Sequence, residues 1–181
     1  MPHLQRLARS GGILAAALVL GYPLIAVPNV EPLTLAFFAV GCAEGPLWGL
    51  FVALVGESVF AAFHPMGPAI APVWLAQVMG MGIVGVLGGW SRPLWRGAWH
   101  RGAWTVRAAW VGVLATLVFD GLTNFAFAIA IGPFVPVMIA AIPFAAVHAG
   151  SNALLFGLFF PILQRWLLRP TSVVAHSVPS P

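Results

Sequence analysis

The sequence predicts an all-α membrane protein with six transmembrane helices and both termini in the cytoplasm, and three observations predict it. Hydrophobic residues make up 61% of the 181 and charged residues only 7%, with a mean hydropathy of +0.99. No water-soluble domain carries that balance on its surface, so lipid is the main solvent of the chain. All eight basic residues are arginines, in three clusters divided by long apolar stretches: Arg6 and Arg9; Arg92, Arg96, Arg101 and Arg107; Arg165 and Arg169. Arginine resists translocation, so the clusters mark the cytoplasmic side and their spacing counts helices. The net charge of +4 does not point to nucleic acid, because the arginines bracket apolar segments and do not alternate with polar and aromatic residues along one surface. The single cysteine, Cys42, lies in an apolar run, which excludes an internal disulfide and a cysteine metal site.

The first helix is predicted over residues 12–27, stopped by Pro28-Asn29-Val30-Glu31-Pro32. Arginines followed by an apolar core also fit a secretory signal, but no clean small-x-small cleavage site closes the run, and its removal would leave the remaining topology unchanged. Residues 33–63 are long enough for one tilted span or for a hairpin broken at Gly45-Pro46. Parity favours the hairpin, because a single span would place the central arginines on the side opposite Arg6 and Arg9. Proline at a helix start and glycine at a helix end favour the same break. Helix two, 33–44, then rises only about 18 Å against a hydrocarbon core of roughly 30 Å, so the protein must cover its end. Helix three follows over 46–63, and His64-Pro65-Met66-Gly67-Pro68 forms an outer turn. Helix four, 71–89, returns to an arginine loop whose Trp90, Trp95, Trp99 and Trp104 read as interface anchors. Helix five, 108–131, turns at Gly132-Pro133 and Pro136 into helix six, 138–168, and the polar tail 170–181 is expected to be disordered and cytoplasmic. The whole of residues 1–169 forms one membrane domain.

Function must come from polar groups left inside apolar segments, since each costs free energy unless it pairs or binds something. In this topology Glu57 and Ser58 lie near the outer end of helix three, and Gln77 about two turns into helix four. Asp120 and Asn124 are four residues apart on one face of helix five, as are His148 and Asn152 on helix six. Asn29 and Glu31 occupy the outer turn before helix two, and His64 the next one. All but the deeper Asp120 fall in the outer half, which describes a substrate pocket open to the outside. Trp74, Phe125, Phe127, Phe134 and Phe144 are candidates for its flat apolar walls. The plainer reading is that asparagine, glutamine and histidine hold helices together by hydrogen bonds. It is weaker for Glu57 and Asp120, because a buried carboxylate needs a proton or a partner, and His148 is an available one.

There is no H-E-x-x-H, nucleophile elbow, P-loop or glycine-rich nucleotide fingerprint, so no enzyme, cofactor or metal centre is predicted. His64 and His148 with Glu57 lack the helical histidine pair that a zinc site would favour. Any energy for transport must come from a partner or an ion gradient.

The run Pro28-Asn29-Val30-Glu31-Pro32, the short helix, Gly41-x-x-x-Gly45-Pro46-x-x-Gly49 and the pair Glu57-Ser58 resemble the substrate-binding S components of energy-coupling factor (ECF) vitamin transporters. Ile142-Pro143-Phe144 with His148 and Ser151-Asn152 is similar to the last helix of many members, and the resemblance covers roughly residues 12 to 168. It implies a high-affinity binding subunit of the bacterial cytoplasmic membrane that captures a vitamin or related micronutrient. A transmembrane coupling subunit and two cytoplasmic ATPases would complete the transporter. In that family small residues on helix one dock against the coupling subunit. Here Gly11 and Ala15, Gly12 and Ala16, and Ala17 and Gly21 are three small-x-x-x-small pairs, which serve equally to pack helix one within the chain. The riboflavin-type pattern has a lysine-asparagine pair where this chain has Glu57-Ser58, which argues against riboflavin. A carboxylate favours a ligand with a donor or positive charge and aromatic walls a flat ring, leaving thiamine-like, pyridine-like and corrin-related precursors open. The alternative class is a structural membrane scaffold of the cell envelope, in which the polar residues only hold helices together.

Overall fold

A computed structural model describes residues 2–95 and 101–167. The chain is all-α, with six helices among the described residues: α1 (Pro2–Leu24), α2 (Leu33–Glu44), α3 (Pro46–Ala62), α4 (Ala71–Ser91), α5 (Arg101–Ile131) and α6 (Phe134–Leu167), with a 3-10 turn at Arg92–Trp95. Four segments, His3–Leu24, Ala71–Trp95, Gly102–Ile131 and Phe134–Arg165, are long and apolar enough to cross a membrane, and α2 and α3 are shorter apolar helices. By helix length and hydropathy this is a multi-pass membrane protein.

The shortest helix is the centre. Every residue of α2 from Leu33 to Ala43 is buried, and α2 packs on α1, α3, α4, α5 and α6. An apolar helix with no polar face suits burial on all sides. Around it Phe38 meets Phe156 at 5.4 Å and Phe160 at 5.3 Å between ring centroids, while Phe37 packs with Leu33, Ala53 and Met81. The break to α3 is at Gly45, whose φ of 103° lies in the region that only glycine occupies without strain. Pro46 then opens α3 at a position where its missing N–H costs nothing.

Glycines let α4 close on this hairpin. A Cβ added to Gly49 would sit 2.5 Å from the Gly85 carbonyl oxygen and 2.6 Å from Gly41 Cα, so the backbones themselves touch. That is the small-residue packing by which helices gain contact in lipid, where no hydrophobic force drives them together.

All the arginine clusters, as far as they are described, meet at one end. Arg6 Nε donates to Glu44 Oε2 at 3.0 Å, Arg9 also pairs with Glu44, and Arg6 lies over the Trp48 ring at 5.2 Å. Gly89 abuts Pro46, Arg107 donates to the Leu94 carbonyl at 2.8 Å and Gln164 to the Trp95 carbonyl at 2.9 Å. This shared end is what the parity argument for a hairpin requires.

Several boundaries differ from the sequence reading. Helix α1 begins at Pro2, not residue 12, because Arg6 and Arg9 extend from its first turns onto Glu44 and the helix need not stop at the charges. It ends at Leu24, not residue 27. Helix α5 begins at Arg101, seven residues before position 108, and α6 at Phe134 directly after the cis Gly132-Pro133 bond. Pro136 falls in the first turn of α6, where no backbone N–H would bond within the helix. The tryptophans divide. Trp90 is exposed as an anchor should be, but Trp95 is core, buried against Phe160 at 4.6 Å with its Nε1 donating to Ser91 Oγ at 3.0 Å. Trp104 is half-buried beside it, and Trp99, Arg96, Arg169 and the tail 170–181 lie outside the described residues.

Candidate functional site

At the end away from the arginines, the turn between α1 and α2 folds inward and ties α5 and α6 to α2. Asn29 takes a left-handed conformation, φ 61°, which asparagine tolerates better than other side chains, and Ser151 Oγ donates to its carbonyl at 2.8 Å. Two residues on, the Glu31 carboxylate accepts from the Leu33 amide, the Thr34 amide at 3.2 Å and the Thr34 hydroxyl. It thereby satisfies orphan donors at the start of α2 and places negative charge at the positive end of the helix dipole. The same carboxylate lies 3.4 Å from His148 Nε2, and the other ring nitrogen, Nδ1, lies 2.8 Å from Asp120 Oδ1. His148 is thus a bridge between two carboxylates, and the imidazolium is the form that donates from both nitrogens. Burial works to raise the Glu31 pKa, but the bonds and charge of His148, with the Thr34 and Leu33 donors, outweigh it and hold the carboxyl below its ordinary range.

Two cavities flank this turn. The first, of about 500 Å³, is lined by Asn29, Glu31, Glu57, His64, Gln77 and His148 on its polar side and by Phe60, Met81 and Phe119 on its apolar side. The second, of about 520 Å³, is lined by Asp120, Thr123, Asn124, Phe127 and Phe144 among others. Pro28, Asn29, Gln77 and Phe119 line both and form the wall between them. Of the ten predicted substrate residues, eight therefore line one cavity or the other. Helix α3 positions Glu57, α4 Gln77, α5 Asp120 and Asn124, and α6 His148. His64, half-exposed, stands edge-on to Phe60 at 5.6 Å.

Trp74 and Asn152 line neither cavity. Asn152 is fully buried and donates from Nδ2 to Thr116 Oγ1 at 2.9 Å, while Thr116 donates to the Gly112 carbonyl, so these groups join α6 to α5. Close approach at that point is allowed by Gly112, where a Cβ would lie 2.6 Å from the Asn152 carbonyl oxygen. Phe125 and Phe134 pair with one another at 5.7 Å away from the lining, whereas Phe127 and Phe144 do line the second cavity. Sequence reasoning missed Phe60, Phe119, Thr34 and Thr116, which carry no signal beyond an apolar residue or a hydroxyl in an apolar helix.

Three polar atoms around the cavities are buried and find no hydrogen-bond partner among the described residues: Glu57 Oε2, Gln77 Oε1 and Asp120 Oδ2. All three are acceptor oxygens. Among the described residues no group of three or more histidine, cysteine, aspartate and glutamate side chains is arranged for a metal ion, and the imidazole of His148 separates its two carboxylates.

The small residues of α1 split by face. Gly11, Gly12, Ala15 and Ala16 are exposed, and a Cβ at either glycine would meet nothing within 4 Å. Ala17 and Gly21 are buried, and a Cβ on Gly21 would meet Leu33 at 2.9 Å, so this pair packs α1 inside the chain.

No protein-family model, no curated protein and no solved structure matches the chain.

Proposed function

We propose that the chain is a membrane-embedded binding subunit of the S-component type, which takes a vitamin or related micronutrient from the outer side of a bacterial cytoplasmic membrane. A transmembrane coupling subunit and two cytoplasmic ATPases would supply transport and its energy. The observation that carries the reading is the pair of cavities at the arginine-free end, where Glu57, only 3% exposed, lines a space of about 500 Å³ without a partner for Oε2. A buried acceptor left open is costly, and here it lies on a residue that lines a cavity. The sequence resemblance and the arginine distribution support the family and the orientation, and the exposed Gly11, Gly12, Ala15 and Ala16 offer α1 a docking face for the coupling subunit.

The scaffold reading draws on one specific observation, the Asn152–Thr116 bond, which is interhelical bonding of the structural kind. The two readings separate on purified protein. Denaturing the chain from mild detergent and analysing the released small molecules by mass spectrometry should yield a stoichiometric vitamin-like compound. Glu57→Leu should then fold and come out empty. A chain that carries nothing and shows no thermal shift with a panel of vitamins is a scaffold.

A further inference from the structure

The first cavity has a chemical polarity that narrows its ligand. Its unsatisfied groups are oxygens: Glu57 Oε2 and, in the wall shared with the second cavity, Gln77 Oε1. Two carboxylates, Glu31 and Glu57, line the same space. Its one buried basic side chain, His148, already has both ring nitrogens within hydrogen-bond range of Asp120 and Glu31. Among the described residues no arginine lines it, and the chain has no lysine. His64 Nδ1 accepts from the Met66 amide at 3.3 Å, which leaves that histidine a single donor, at a half-exposed position. The charge on Glu57 is therefore uncompensated, and a buried carboxylate in that state is removed by taking a proton or by taking a cation. A proton on Glu57 removes that charge but supplies a single donor. A ligand with several N–H groups on one positive charge would offset the charge of Glu57 and also have a donor for Gln77, since both residues line this space. Phe60 and Phe119 also line the space, and aromatic walls favour a planar group.

We infer that the first cavity selects a flat organic cation bearing two or more N–H donors, such as a protonated amidine or aminoheterocycle, with Glu57 as its counter-ion and Gln77 as a second acceptor. This rests on the reading of the cavity as a ligand site, and it excludes anionic and donor-free ligands from it.

The test uses full-length protein in detergent and measures thermal shifts and equilibrium binding with matched flat probes: benzamidine, benzamide and benzoate, and the corresponding two-ring amidine, amide and carboxylate. Amidines should raise the melting temperature and the carboxylates should not. Glu57→Gln should weaken amidine binding about tenfold or more, as expected for a lost charge-assisted hydrogen bond. It should leave the melting temperature of the empty protein unchanged or raised, since it removes an unpaired buried charge; Gln77→Leu gives an independent loss. Carboxylates that bind as well as amidines, an amidine shift that survives Glu57→Gln, or no shift with any amidine would each overturn the inference. A released compound that is anionic or neutral and donor-free would overturn it too, while leaving the binding-subunit reading intact. Absence of any ligand by mass spectrometry and by vitamin panel strikes that broader reading instead.

Discussion

Removing the Glu31 side chain tests whether the inward turn holds the far end of the bundle. Leu33 and Thr34 are fully buried, and Glu31 accepts from both amides and from the Thr34 hydroxyl. Each buried donor left without an acceptor costs about 1–3 kcal/mol, and the lost charge at the helix start about 0.3–1 kcal/mol more. Water from the adjoining cavity can replace part of this, because the Glu31 side chain is 17% exposed. We therefore expect Glu31→Ala to cost about 3 kcal/mol and Glu31→Gln, which keeps a carbonyl acceptor, about 1 kcal/mol. Tryptophan fluorescence during chemical unfolding in detergent measures both. Acid adds a second signature. The folded carboxyl lies below its ordinary value of 4.5, so its contribution is complete above that pH and is lost as pH falls through the lower folded value. Wild type should lose stability below pH 4.5 more steeply than Glu31→Gln. A Glu31→Ala variant within about 0.5 kcal/mol of wild type would refute the reasoning, since that is the range of surface changes without structural role.

Three further outcomes follow from the packing. Gly85→Val should prevent a folded bundle from being purified, because even a Cβ there meets the Gly49 carbonyl oxygen at 2.4 Å, whereas Gly11→Val should leave the melting temperature unaltered, having nothing within 4 Å. A double-mutant cycle of Arg6→Ala with Glu44→Ala should give a coupling of about 0.5–1 kcal/mol that shrinks with salt, the size of a pair whose arginine is 36% exposed. On a Cys42→Ser background in intact cells, Met66→Cys should react with a membrane-impermeant maleimide from outside and Leu94→Cys should not, both side chains being exposed at opposite ends of the bundle; the reverse pattern would invert the proposed orientation.

What the sequence revealed, and what it withheld, follows from range. The α2–α3 hairpin was readable because its signals are local, Gly45-Pro46 at the break, or counted along the chain, as the arginine parity is. The polar lining was readable as a set, since polar residues in apolar helices are few, and the partner suggested for Asp120 or Glu57 proved to be His148 for Asp120 alone. The capping role of Glu31 and its contact with a histidine 117 residues later were not. Nothing in the composition of 28–32 says that the turn folds inward. Trp95 was misplaced for the related reason that a tryptophan beside arginines has the same local signature at an interface and in a core.

The cavities themselves follow from the length of α2. Its twelve residues rise about 18 Å. Glu44 at its C-terminus is held by Arg6 and Arg9; with that end at one face, a hydrocarbon core of about 30 Å would extend about 12 Å beyond the other end. Helices α4, α5 and α6 are longer, and beside the start of α2 lie the 25–32 turn and the two cavities. Glu31 in that turn accepts from the amides at the start of α2, which only an acceptor can satisfy. A turn is narrower than the helix it replaces, and Pro28 and Asn29 accordingly stand between two spaces and line both. Lengthening α2 by one turn at its N-terminus should therefore remove the cap and the histidine bridge and reshape both cavities, so the shortest helix is the element on which this polar arrangement depends.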